Sequence, residues 1–415
     1  MAFLPPPDRF SSLAEELQHA ILCYCSSASI ASVGRTSKQL QRSSIPALYR
    51  RIDLSIHHHD GILDMARHPW GAKADSPTRL PRYMDENLFR AQEAFVRTIV
   101  THPEYAGYVR DVTWTLLSTP VMDGRRELFP QNCYKDGSLW QVFAQFTNLT
   151  FIDMAFLRYP GVKELPLTLF SNARSVRLLG QVAGPIARDI LHSLDAERLN
   201  SLVLDNLQDF GPMSRGSTFA TVKQTAEIGD CISSLCNCSP RPGPLRGHLQ
   251  GLTFTNLRYL RLRSAGQENI NCLKWSPANE EKRYREWAGF IEGVKPILET
   301  FIFEQGVLPA TSKGHYQSLL CRLRENAGAT IQDARPMDRR FIDHILPVIL
   351  SGGWHKLRLM VILGVGRWTV EVPGVGSVTK IALGAETRIA IKSSLGPTVR
   401  VRIEERSPQP FDLAF

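Results

Sequence analysis

One short pattern constrains this chain more than any other: apolar-x-x-apolar-x-apolar, which returns at Val109–Trp114, Leu149–Met154, Ala173–Leu178, Leu199–Leu204, Leu257–Leu262, Leu298–Phe303 and Leu357–Ile362. With about a third of positions apolar, chance alone supplies on the order of ten loose matches in a chain of this length, so the pattern needs a stricter form. Demanding leucine at all three positions lowers the chance expectation below roughly one, and both "LNSLVL" and "LRYLRL" meet that demand. Copies starting at 149, 173 and 199 are about 25 residues apart, within the usual range for a repeat; later gaps are nearer 40 or 60. The reading is short strands lining an arc, with helices such as "GPIARDILHSLD" behind them.

Two regions interrupt that pattern. Residues 208–250 are rich in Gly, Pro and Ser and read as a long irregular insertion. After Val361, "RWTVEV", "TRIAIK" and "VRVRI" alternate with period two between glycine turns, which predicts antiparallel strands forming a β-rich C-terminal cap over 366–415.

The amino-terminal fifty residues have a different texture. Ser12 followed by Glu15 matches a capping box, so a helix is expected to open there. Leu13, Leu17, Ile21 and Tyr24 recur on one face, with Leu22 widening the stripe. Two readings fit: a buried N-terminal helix or a docking helix. A second helix carries Ile30, Val33, Ser37 and Leu40, with Ser27 or Ser29 as cap candidates. A third is expected to open at Ser44, since Pro46 is tolerated in a first turn. "RIDLSI" then alternates as a half-buried strand. Three such helices bury little area among themselves and tend to need a partner or the following domain.

The segment "LAEELQHAILCYCSSASIASVGRTSKQLQRSSIPALYRRIDLS" resembles the F-box in Leu13, Glu15 or Glu16, Leu17, Ile21-Leu22, Ile30, Val33 and Ser37-Lys38. Ala14 stands where that family has proline, and Cys25 where it has leucine. Later segments, among them "RLNSLVLDNLQDFG" and "REWAGFIEGVKPILETFIFEQG", are similar to filamentous-fungal F-box proteins with degenerate leucine-rich repeats. The resemblance implies an α/β chain of mixed helix and strand: an F-box at 1–52, an irregular leucine-rich-repeat-like region at 53–365, then the cap. It implies a non-catalytic subunit of a cullin-type ubiquitin ligase, docking on a Skp-family adaptor through Leu13, Leu17, Ile21, Leu22, Ile30 and Val33. A target protein would be held by the repeats. A non-degradative scaffold would carry the same sequence.

Composition narrows the remaining classes. Of 415 residues, 43% are hydrophobic and 21% charged, which is ordinary for a globular protein, and the length calls for two or more units or an elongated one. The start, "MAFLPPPDRF", lacks a positive segment and an apolar core, and no later run reaches the roughly 18 to 20 apolar residues of a bilayer span, so a cytoplasmic or nuclear chain without membrane contact is expected. Eight cysteines are too sparse for a stapled domain, and Cys231, Cys236 and Cys238 lack paired zinc-ligand spacing. "HHHD" at His57–Asp60 reads as an exposed turn, and the glycine pairs in "GVGRW" and "GVGSV" lack a dinucleotide fingerprint. No metal, cofactor or catalytic centre is read, and no nucleophile elbow or kinase set occurs.

A net charge of +9 permits an acidic partner. From Arg241 to Arg263 there are five arginines and no acidic residue. Arg258, Arg261 and Arg263 are the candidates for a substrate-binding clamp on phosphate or carboxylate, two of them sharing a strand's exposed face. A solvated basic face is the alternative. Nucleic-acid binding is disfavoured because no recognition module or aromatic interleaving accompanies the arginines.

Overall fold

A computed structural model describes residues 10–55, 82–117, 138–159, 165–166, 168–182, 184–209, 243–244, 247–264, 277–305, 339–365, 367–372, 376–381 and 383–404. Most of the 208–250 insertion, His57–Asp60 and the three clustered cysteines lie outside the described residues.

Three helices come first: α1 (Glu15–Leu22), α2 (Ser27–Gly34) and α3 (Lys38–Arg50). Their boundaries differ from the expected ones. The residue before α1 is Ala14, whose side chain cannot cap, so Ser12 does not hold the N-cap position expected for it. Ser26, not Ser27 or Ser29, caps α2 by accepting from the Ser29 N–H at 3.2 Å. α3 opens well before Ser44 because Ser37 accepts from the Leu40 N–H at 3.1 Å, and Pro46 is carried inside the helix.

α3 passes directly into β1 (Arg51–Leu54), the first strand of a large sheet. The sheet continues with β2 (Asp111–Leu117), β3 (Phe151–Tyr159), β4 (Ser175–Val182), β5 (Ser201–Asp209), β7 (Tyr259–Ser264), β8 (Thr300–Gln305), β9 (Leu359–Leu363) and β12 (Arg400–Glu404), all parallel in that order. The two-residue β6 (Gly243–Pro244) pairs antiparallel with β5.

All seven copies of the apolar pattern coincide with these strands in register. Their central residues form one row, Val112↔Ile152↔Val176↔Leu202↔Leu260↔Phe301↔Met360. The leading residues Val109, Leu149, Ala173, Leu199, Leu257, Leu298 and Leu357 are all buried. Parallel neighbours require a crossover, and among the described residues these include α4 (Arg82–Thr101), α5 (Ser138–Ala144), α6 (Gly184–His192), α7 (Pro277–Val294) and α8 (Leu346–Leu350), the last following a π-turn at Phe341–Ile345. The core lies between the helices and one sheet face: Trp114 packs edge-on to Phe143 of α5, and Phe303 meets Tyr284 and Trp287 of α7.

The carboxyl-terminal cap needs correction. "RWTVEV" does form an antiparallel hairpin, β10 (Arg367–Val372) with β11 (Gly376–Ile381). "TRIAIK", however, lies in helix α9 (Ala385–Leu395), and "VRVRI" lies in β12, parallel to β9. Two isoleucines two residues apart are too few to fix a period; here Ile391 and Leu395 are buried at helical spacing while Ile389 is exposed. Leu383, Ile391 and Leu395 join the main core, so 383–404 adds a further helix and strand to the large sheet.

Candidate functional site

α1 has two unlike faces. Inward, Leu22 and Ile30 are 1% and 4% exposed and close a small core with Ala47, against which Phe10, Cys23, Val33 and Leu48 pack. Gln18 ties the unit together: its amide donates to the Leu13 carbonyl at 2.8 Å, and its carbonyl accepts from the Ser43 hydroxyl at 2.8 Å. Outward, Leu17, Ile21 and Tyr24 follow one another at four and three residues and are 55%, 45% and 94% exposed. The six residues read as a docking set therefore divide. Leu17 and Ile21 are open and Leu13 and Val33 half-buried; Leu22 and Ile30 are core side chains of the unit itself.

A second polar constellation crosses the sheet on the face away from the helices. Arg177 reaches Asp153 at 3.2 Å and Asp205 at 3.1 Å. Arg263 reaches Asp205 at 3.5 Å and Glu304 at 3.4 Å, and Arg261 reaches Glu304 at 2.7 Å. Asp153, Arg177, Asp205, Arg263, Glu304 and Arg261 thus form one chain of alternating charge over β3, β4, β5, β7 and β8. Burial opposes the charge on Arg261, but Glu304 and Asp205 outweigh it and hold its proton more tightly than usual. Burial pushes the Tyr259 hydroxyl up on the same face.

The arginines of the expected clamp make ion pairs within the sheet. Arg261 and Arg263 do share a face, but their carboxylate partners come from neighbouring strands, so the guanidinium groups are already engaged. Arg258 lies one residue before β7, at the sheet edge, with Glu299 at 3.5 Å. Sequence reasoning missed the network because each partner lies far along the chain.

A third cluster lies where residues 247–249 meet α7. The Gly247 and Leu249 N–H groups donate to the two oxygens of Glu286 at 2.5 and 2.6 Å. His248 between them is fully enclosed, its Nδ1 3.4 Å from Glu286, and burial together with the Arg283 charge lowers its pKa to about 3. Burial raises the Glu286 pKa against the pull of those backbone donors. A neutral, sealed imidazole with a carboxylate clamped by backbone is a fastening of this segment to α7. No nucleophile belongs to it. Among the described residues, no group of three His, Cys, Asp or Glu is arranged to hold a metal ion, and no helix is long and apolar enough to cross a membrane.

Comparison with models of known protein families gives no match, and comparison with curated proteins gives none either.

Proposed function

We propose that this chain is the substrate-recognition subunit of a cullin-type ubiquitin ligase, docking on a Skp-family adaptor through its amino-terminal helices and holding a target on a leucine-rich-repeat-like sheet. The supporting observation is the open stripe of Leu17, Ile21 and Tyr24 on a helical unit whose own core is already closed by Leu22, Ile30 and Ala47. Apolar side chains exposed at helical spacing gain about 1.5–3 kcal/mol each when covered, before the costs of association. Regular parallel repeats downstream suit a binding role, and the direct run from α3 into β1 suits fixed geometry between adaptor and target. In this reading the chain breaks and makes no bonds. It acts by proximity, raising the local concentration of target lysines near the conjugating enzyme.

Co-purification with the adaptor tests the reading. The Leu17→Asp, Ile21→Asp double variant is expected to lose capture by about tenfold or more while melting within a few degrees of wild type, since both side chains point outward. Capture that survives both substitutions would remove the docking assignment.

A further inference from the structure

One row of the sheet is unlike the rest. From β1 to β9 the residue just before each strand is linked to its neighbour by a backbone hydrogen bond, N–H to carbonyl, at 2.7–2.9 Å from Arg50 through to Arg358. The row begins with Arg50 before β1, and from β2 onward arginine falls on alternate strands: Arg110, Arg174, Arg258 and Arg358, all exposed. Between them come Thr150, Asn200 and Glu299. Strands lie about 4.8 Å apart, so successive arginines stand roughly 10 Å apart in a straight line. Arg110 and Arg174 have no acidic partner among the described residues; Arg258 and Arg358 flank Glu299 at 3.5 and 3.8 Å. At that end the row opens into a hollow of about 320 Å³ where Lys356, His355 and Thr398 join Arg358.

We propose that this edge of the sheet is a rail for an extended acidic polypeptide segment, with a carboxylate at every third residue meeting an arginine. The occupant follows from spacing and charge. A segment in the polyproline II conformation turns once every three residues and advances about 3.1 Å per residue, so every third side chain falls on one face about 9.3 Å apart, close to the roughly 10 Å between arginines. Guanidinium forks engage carboxylates in bidentate fashion. A single row one residue deep fits one strand of polymer. Glu299 in the row repels a uniformly charged chain such as a nucleic acid, whereas a polypeptide can set a neutral or basic residue opposite it. The residues three before the strands from β3 to β9 are Asn148, Asn172, Arg198, Asn256, Ile297 and Lys356, so Tyr108, three before β2, is the one aromatic ring in that row and cannot by itself stack successive bases along it. That the segment belongs to a ligase target rests on the function proposed above; the binding itself does not.

The test uses the full chain and three labelled probes read by fluorescence anisotropy. These are a peptide of about twelve residues with glutamate at every third position among glycine and serine, the same composition with its glutamates in one block, and a single-stranded oligouridylate of equal charge. The spaced peptide is expected to bind at low salt. Arg110→Glu with Arg174→Glu should weaken it about tenfold or more, while Arg188→Glu, on the exposed side of α6, should leave it unchanged. Neither reversed arginine loses an intramolecular partner among the described residues, so circular dichroism should show an intact fold. Absence of binding, equal affinity for the blocked peptide, tighter binding of the oligouridylate, or unchanged affinity in the double variant would each overturn the proposal. Adaptor capture depends on Leu17 and Ile21 on another unit, so loss of peptide binding leaves the receptor reading standing, and the reverse holds too.

Discussion

Arg177 lies between two carboxylates, Asp153 and Asp205, that reach it from the strands on either side. Removing water from such groups is costly, and these buried carboxylates are tolerated because each charge is met by an opposite one within 3.5 Å across the row. His248 is the opposite case, a titratable group whose enclosure, together with the Arg283 charge, keeps it neutral despite the Glu286 carboxylate 3.4 Å from its Nδ1. Its pKa falls from the ordinary 6.5 to about 3, so between those values the unfolded chain binds the proton and the folded chain does not. Its contribution to stability is intact above pH 6.5 and declines as pH falls toward 3, by up to about 1.4 kcal/mol per pH unit. Glu286 acts with the other sign: its raised pKa lets the folded state take up a proton first, which adds stability as pH falls. Thermal melts from pH 7 to 3.5 should therefore show wild type losing more stability on acidification than His248→Asn, in which Glu286 still titrates. Identical profiles would mean that the histidine is not neutral in the fold.

Helix α1 shows how one element can serve two surfaces. About 100° of its circumference separates Leu22, inside the helical unit, from Ile21 outside it, and about 140° separates Leu22 from Leu17. In the sheet, Gly180 plays a comparable part for β4. Its φ of +93° lies where side chains are strained, and a Cβ there would stand 2.2 Å from the Phe156 carbonyl oxygen on β3, beside the register shift between those strands. Gly364, beyond β9, repeats the device against the Gln305 carbonyl. Gly180→Ala should cost about 2 kcal/mol or more in urea unfolding, whereas Gly289→Ala, in α7 with open space around it, should gain about 0.5–1 kcal/mol. Equal effects at the two sites would show that β4 relaxes around the added methyl group.

Over the whole molecule, two cores are coupled through α3. Ala47 belongs to the small helical core, while Tyr49, half a turn on, packs against the main one with its ring 4.9 Å from Tyr105 and 6.2 Å from Phe95. Since α3 ends at Arg50 and β1 begins at Arg51, the helical unit is anchored by this aromatic group without an intervening linker. Tyr49→Ala should loosen that anchor by about 1–2 kcal/mol. Hydrogen exchange should then quicken in α1 and α2 well before it does in β7. A uniform change through helices and sheet would show that the coupling does not pass through Tyr49.

What the sequence determined by itself is local. Apolar residues three and two apart set every copy of the motif in a strand, and the spacing of Leu17 and Ile21 put them together on one helix face, with Tyr24 exposed in the turn that follows. These are properties of neighbours along the chain, fixed by the periods of strand and helix. Tertiary structure decided the rest. It assigned "TRIAIK" to a helix, because the last strand joins the sheet in parallel and needs a crossover. It gave Arg261 and Arg263 carboxylate partners and lined up Arg110, Arg174, Arg258 and Arg358 at one edge, since strand register joins residues dozens of positions apart and no local pattern encodes that distance.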